Sequence, residues 1–298
     1  MPAVTSRRVA LLSSGAYAHL DDDLPLLVAA LAAEGIDGVV ADWHDTSADW
    51  SQWDLVVLRS TWDYTSQLDH FVDTLEAIDA VTTLANPLPV VRANADKRYL
   101  LTLAEAGVPV VPTELFEPGH GVRLPEEVSF VVKPSVSAGA RDTERYAAGE
   151  VEPALDHAEE LLTAGRAVLV QPYVDGIDGA GETGLVFLGD RFSHAFRKGP
   201  ILVPDSTFVA GLYRDEDITA RTPSDEELEV ADRVLAAAAH LVDGYDRSDL
   251  LYARVDLAPG PDGPLLMELE LIEPSLFVPT AAGSADRFAA AVVQRLAS

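Results

Sequence analysis

The sequence predicts an α/β domain at its N-terminus followed by a longer α+β portion. Three observations carry that reading. Over roughly the first 90 residues, short apolar runs alternate with helix-period segments, the pattern of a parallel sheet flanked by helices. Beyond that point strands outnumber helices, and two strand-like runs flank Gly189-Asp190, a two-residue hairpin signal. The chain has 298 residues with 48% hydrophobic and 23% charged content, an ordinary globular composition. At ~150 residues per domain the length suggests about two domains with sizeable cores.

The elements follow in order. An apolar strand is expected at 8–14, and a helix at 22–34 with Leu24, Leu27, Val28 and Leu31 on one face. Further strands are expected at 36–41 and 55–58, with a helix at 66–79. The breaker cluster Asn86-Pro87-Leu88-Pro89 closes this domain. A helix is expected at 94–106, with Asn94 as N-cap and Gly107 as stop. Strands at 110–112 and 128–133, a helix at 152–164 and a buried strand at 167–173 come next. The hairpin strands are 184–188 and 192–197, followed by an Ala-rich helix at 224–242. Strands at 250–257 and 265–271 and a closing helix at about 285–296 complete the chain.

Composition excludes several functions. The formal net charge is −28, from 21 basic and 49 acidic residues, which opposes non-specific nucleic-acid binding. There are no cysteines, so disulfides, thiolate metal sites and cysteine nucleophiles are ruled out. Seven histidines are scattered, with no HxxxH or HExxH spacing for zinc. Arg7-Arg8 before Val9-Ala10-Leu11-Leu12 loosely imitates a signal segment, but the apolar run is short and meets Asp21-Asp22-Asp23. It reads better as a first strand. No apolar stretch reaches ~18 residues, so no membrane contact and a cytoplasmic location are expected.

Of the 21 basic residues only three are lysine: Lys97, Lys133 and Lys198. In a chain that defaults to Arg, a retained Lys suggests a compact ammonium for phosphate oxygens. Counting alone equally allows chance survivors. Lys133 ends the apolar strand Val131-Val132 and opens the small-residue loop Pro134–Ala140, where backbone N–H groups can approach phosphate. Neither a Walker A motif nor GxGxxG is present. Strand alternation puts Arg254 and Asp256 on one face, and Glu268 and Glu270 on one face of the following strand. Paired, these strands gather three carboxylates, an oxygen set suited to Mg²⁺ with substrate phosphates. The same Leu/Glu alternation suits the solvent face of an edge hairpin. Gln171-Pro172-Tyr173-Val174 leaves a buried strand as an extended connector, either an adenine edge or a plain domain crossing.

Taken in order, Lys97, Lys133 with its loop, Gln171–Val174, Glu182, Arg254-Val-Asp256 and Glu268-Leu-Glu270 resemble the ATP-grasp superfamily of carboxylate ligases. The resemblance covers about residues 93–278. It implies an ATP-grasp fold: a pre-ATP-grasp α/β substrate domain at 1–92, a central lobe at 93–172 and a C-terminal lobe at 173–298. It implies ATP bound by Lys97, Lys133, Ser137 and Gly139 at the phosphates, by Gln171, Tyr173 and Val174 at adenine, and by Glu182 at ribose. It implies Mg²⁺, with Mn²⁺ as the alternative, on Asp256, Glu268 and Glu270. Glu270 departs from the commoner pattern, which has Asn there. Lys198 joins the phosphate cations. Arg254 would steady an acyl phosphate or oxyanion, and Arg197 a phosphate or the substrate carboxylate.

Three strings narrow the resemblance: Arg59-Ser-Thr-Trp62-Asp-Tyr64, Phe192–Pro200 and Glu268–Phe277. They are similar to the bacterial ATP-grasp subgroup that includes the cyclo-ligase of D-cycloserine biosynthesis. That implies closure of an amino-acid-like substrate, O-ureido-D-serine, to the antibiotic, with loss of CO₂ and ammonia. Substrate selection would then fall to the first domain, with Arg59, Trp62 and Tyr64 near the cleft, ordinary packing being the competing reading of the two aromatics. The rival functions are an intermolecular amide ligase of the glutathione synthetase or D-alanine–D-alanine ligase kind, and a non-catalytic ATP-binding protein. A homodimer is expected from the frequency of two-fold oligomers.

Overall fold

The computed structural model describes residues 6–202, 208–209, 211–214 and 216–298. The N-terminal sheet uses β1 (Arg8–Ser13), β2 (Asp37–Asp42), β3 (Leu55–Leu58) and β4 (Leu84–Ala85), all parallel in the order β2-β1-β3-β4. β3 and β4 are buried throughout and β1 over all but its first residue, as the covered strands of a parallel sheet must be. Helices α1 (Asp23–Ala33) and α2 (Leu68–Asp79) provide the crossovers.

Residues 88–106 differ from expectation. Instead of one helix from Asn94, there are two: α3 (Leu88–Asn94), opening on Pro87, and α4 (Tyr99–Glu105). The Asn94 amide does not cap. It donates to Leu269 O at 2.8 Å and accepts Leu271 N at 2.9 Å, so it serves a distant strand end. Asp96 instead accepts the Arg98 N–H at 2.9 Å. The resulting turn delivers Lys97, whose N–H donates to Ser135 O at 2.8 Å.

The second sheet is antiparallel, in the order β5-β8-β6-β7: β5 (Glu114–Phe116), β6 (Phe130–Pro134), β7 (Glu144–Tyr146) and β8 (Val168–Pro172), with α5 (Val151–Thr163) packed on one face. The strand expected at 110–112 shrinks to one bridge, Val110 to Leu266. Pro109 and Pro112 have no N–H to continue a ladder.

A short α6 (Gly176–Ala180) leads to the third sheet. It comprises β9 (Glu182–Leu188), β10 (Arg191–Lys198), β13 (Ile218–Arg221), β14 (Tyr252–Gly260) and β15 (Gly263–Glu270), antiparallel in the order β13-β10-β9-β14-β15. A small ribbon, β11 (Phe208–Val209) with β12 (Tyr213–Arg214), lies between β10 and β13 in sequence. The helix expected at 224–242 is α7 (Asp225–Ala237), whose end tightens into a 3₁₀ turn at Ala238–His240. α8 (Ser284–Ala297) closes the chain.

This third sheet is covered on both faces. Leu185, Phe187, Ala253, Val255 and Leu269 pack against α3, α4 and α7 residues such as Tyr99, Leu103 and Val234. Val186, Leu188, Tyr252 and Phe196 pack against Leu27 and Leu31 of α1 and Phe288 and Val292 of α8. No helix among the described residues is long and apolar enough to cross a membrane.

Candidate active site

A cavity of about 520 Å³ opens where the three sheets meet. Its charged floor follows from strand alternation. On β14 and β15, Arg254 pairs with Glu270, and Asp256 with Glu268, directly across the ladder. One residue further on, Leu257 pairs with Leu266, leaving Met267 as a bulge on β15. The extra residue lets Leu266 and Leu269 both reach the core while Glu268 and Glu270 both line the cavity. The expected pairing of these strands is therefore observed.

Most of the buried charges are already matched. Arg254 donates to Asp256 at 2.9 and 2.7 Å, to Ser275 O at 3.0 Å, and closely to Glu270. Lys198 lies 3.0 Å from Glu182 and 3.5 Å from Asp256. Lys97 lies 3.0 Å from Glu268 and also donates to Ser137 O, tying the small-residue loop to β15. Arg254 and Lys198 together hold Asp256 below the usual carboxylate range against its burial. Burial pushes Glu270 well above it, relieved in part by Arg254 and reinforced by Asp256 and Glu268.

Lys133 is the exception. It is buried at the end of β6, lines the cavity, and has no carboxylate within ion-pair distance among the described residues. Burial pushes its ammonium down to about 8. A buried, unpaired cation facing a cavity is an anion receptor waiting for its anion.

Around Lys133 the predicted loop and connector come together. Ser137 and Gly139 line the cavity. Gly139 sits at φ +62°, and a Cβ there would come 2.6 Å from Leu212 O. Only glycine allows this approach between the loop and the β11–β12 ribbon. Gln171, Tyr173 and Val174 also line the cavity, forming an apolar slot with Val111, Val131 and Ile177. The Gln171 side chain itself is held by Thr113, 2.8 Å away. Glu182 lines the cavity, but as the partner of Lys198.

Arg197 corrects the sequence reading. Neighbours on a strand face opposite ways, so with Lys198 turned to the cavity, Arg197 is turned from it. Its guanidinium donates to Ala180 O at 2.8 Å and Asp217 at 3.2 Å, and it is not among the residues that line the cavity. Several lining residues were missed: Asp21, Glu216, Glu273 and Tyr213. All lie in turns or short ribbons, where no hydrophobic period marks them. Trp62 and Tyr64 do face the cavity. Arg59 does not; it is fully buried, donates to Pro274 O at 2.8 Å and braces the wall.

The acids present fit a hard divalent cation in donor chemistry, since Asp256, Glu268 and Glu270 offer only oxygen. Among the described residues no three such groups are disposed to hold an ion unaided. Phosphate oxygens would have to complete the shell, as is usual for Mg²⁺.

Residues 9–86 match the family described as D-cycloserine synthetase DcsG, N-terminal domain. The chain is 39% identical to the cycloserine biosynthesis protein DcsG of Streptomyces lavendulae, over 97% of this chain and 98% of that protein. A crystal structure of D-cycloserine synthetase DcsG superposes with a TM-score of 0.88 at 38% identity, over 97% of this chain and 99% of that one. D-alanine–D-alanine ligase from Bacillus anthracis, complexed with ATP, shares the fold with a TM-score of 0.65 at 13% identity, over 98% of each chain. Fold and site thus define an ATP-dependent ligase of the ATP-grasp class. Within that class, the chain belongs to the D-cycloserine synthetase family.

Proposed function

We propose that the chain uses ATP to activate the carboxylate of O-ureido-D-serine and closes it intramolecularly to D-cycloserine, releasing ADP, phosphate, CO₂ and ammonia. The observation that carries ATP use is Lys133, a buried ammonium with no carboxylate in ion-pair distance among the described residues, lining the cavity beside the glycine-bearing loop. The specific substrate is supported by the likeness to the Streptomyces lavendulae protein.

On this reading the adenine occupies the slot at Gln171, Tyr173 and Val174, with Glu182 beside the ribose and the phosphates towards Lys97, Lys133, Ser137 and Gly139. A bound Mg²⁺ (Mn²⁺ as the alternative) on Asp256, Glu268 and Glu270 would neutralise charge on the β- and γ-phosphate oxygens. The substrate carboxylate attacks the γ-phosphorus and ADP departs, leaving an acyl phosphate. Arg254 and Lys198 stabilise the charge that develops at the reacting centre. The nitrogen of the substrate's N–O bond then attacks the acyl carbon and phosphate leaves, closing a five-membered ring. Water removes the carbamoyl group from that nitrogen as carbamate, which breaks down to CO₂ and ammonia. Ring closure within one molecule needs no pocket for a second amine.

The division into 1–92, 93–172 and 173–298 belongs to this proposal, supported by the three sheets that meet at the cavity. A cytoplasmic location and a homodimer are proposed with it. The test is ADP release with Mg²⁺-ATP and O-ureido-D-serine as sole co-substrate. Turnover without added amine is expected. A strict requirement for a second amine would move the protein to the intermolecular ligases.

A further inference from the structure

The cavity holds a carboxylate that mirrors Lys133. Glu182, Asp256, Glu268 and Glu270 each have a Lys or Arg within ion-pair distance. Glu216 likewise has no cation in ion-pair distance among the described residues, but the cations that act on it most, Lys198 and Arg254, are already paired with Glu182, Asp256 and Glu270. Asp23 spends both oxygens on the Leu276 and Val278 N–H groups; Asp21, further from the charged floor, accepts the Asp23 N–H at 2.9 Å through one oxygen and keeps the other buried without a partner among the described residues, and Asp22 is exposed at the cavity mouth. Glu273 lines the cavity with no cation in ion-pair distance among the described residues. We propose that Glu273, with the Tyr64 hydroxyl beside it, is the receptor for the α-ammonium of the amino-acid substrate. The assignment rests on the ligase reading above and deepens it.

Three features support it. First, Glu273 is fixed by its backbone. Its carbonyl accepts Trp62 Nε1 at 3.2 Å, and the next carbonyl, of Pro274, accepts Arg59 at 2.8 Å. The side chain is therefore anchored where the N-terminal sheet meets the charged floor. Second, it is close to the chemistry. Its charge is felt from Lys97, Glu268 and Arg254, the groups around the reacting carboxylate. An α-ammonium lies one carbon from that carboxylate, so its receptor has to sit next to this cluster. Third, Tyr64 is nine-tenths buried, lines the same cavity, and has no hydrogen-bond partner for its hydroxyl among the described residues. Of its charged neighbours Glu273 acts on it most. Burial pushes the Glu273 carboxyl up to about 8, so the vacant pocket favours a neutral acid that an arriving cation would ionise.

The experiment measures binding to the Mg²⁺-ADP-loaded protein by calorimetry, so it does not depend on turnover. The probes are O-ureido-D-serine and its des-amino analogue, 3-(ureidooxy)propanoate. Wild-type protein is expected to prefer the amino compound by about 30-fold or more. Glu273→Gln should abolish that preference while ADP affinity stays unchanged, and Tyr64→Phe should reduce it several-fold. A Glu273→Gln protein that keeps the preference overturns the assignment, as does wild-type protein that binds both compounds equally. If Glu273→Gln fails to bind ADP, Tyr64→Phe decides, and an undiminished preference there counts against the subsite. Wild-type protein that shows the preference but does not turn over O-ureido-D-serine with Mg²⁺-ATP would instead overturn the ligase reading alone.

Discussion

Lys133 shows how one residue's surroundings set its chemistry. An unfolded lysine keeps its proton to about 10.5, whereas this one releases it near 8. Between those values the unfolded chain binds more protons, so the nucleotide-free fold gains stability from this group as pH rises. Phosphate binding has the opposite sign, because it needs the ammonium. ATP affinity is therefore expected to fall as pH rises through about 8. In Lys133→Arg, whose guanidinium stays charged, that decline should flatten. Titration calorimetry across pH 7 to 10 checks this, and identical profiles for both proteins would remove Lys133 from the phosphate site. Arg254 has a different task. Gly184 lies under the Phe196 ring, where a Cβ would come 2.6 Å from Cε2, and that ring sits 5.7 Å from the Arg254 guanidinium. Packing thus adds to the ion pairs that set the arginine's direction.

Among elements, α7 and the Gly139 loop make separable predictions. Ser224 opens α7 with a capping box: its hydroxyl accepts the Glu227 N–H at 3.2 Å and Glu227 accepts the Ser224 N–H at 2.7 Å. Ser224→Ala should cost about 1 kcal/mol in denaturant unfolding and leave ADP affinity unaltered. Gly139→Ala acts on the site as well as on the fold. Its left-handed backbone and its approach to Leu212 O leave no room for a methyl group, so loop and ribbon cannot meet. KM for ATP is expected to rise at least about tenfold, alongside a stability loss of about 1 kcal/mol or more from the left-handed strain. An ATP KM within twofold of wild type would show that the loop's approach does not matter. These elements also show what the sequence could reveal. β14 and β15 were legible because a period of two marks the face of every residue, so Arg254, Asp256, Glu268 and Glu270 came out together. The same rule, applied to Arg197 and Lys198, places only one of them in the cavity. Asn94 misled because its polarity suits a cap and a strand clamp equally. Glu273, in a turn, and Tyr213, in a two-residue strand, could not be assigned to the cavity because neither segment carries a period.

Across the whole molecule, polar clamps join regions far apart in sequence, beside the apolar packing of α1 on the third sheet. Asn86, at the end of the N-terminal sheet, donates to Tyr252 O and Leu271 O at 2.9 and 2.8 Å and accepts the Leu251 N–H at 2.7 Å. Asn94 repeats the device on Leu269 and Leu271. Each amide satisfies backbone groups that burial would otherwise leave unpaired. Asn86→Ala should cost about 2–4 kcal/mol of stability, measured by denaturant unfolding, since it orphans several buried groups at once. A loss below about 0.5 kcal/mol would mean that water replaces the amide there. These clamps bring Trp62, Tyr64 and Glu273 into one cavity with Lys133, as the proposed pairing of an amino-acid subsite with a phosphate subsite requires. The most direct test of that arrangement is the mass of the product formed from O-ureido-D-serine and Mg²⁺-ATP with no other amine present. The cyclising account predicts D-cycloserine, with one ADP released per ring closed. ATP bound without any new product, or a product that incorporates a second amine, would contradict it.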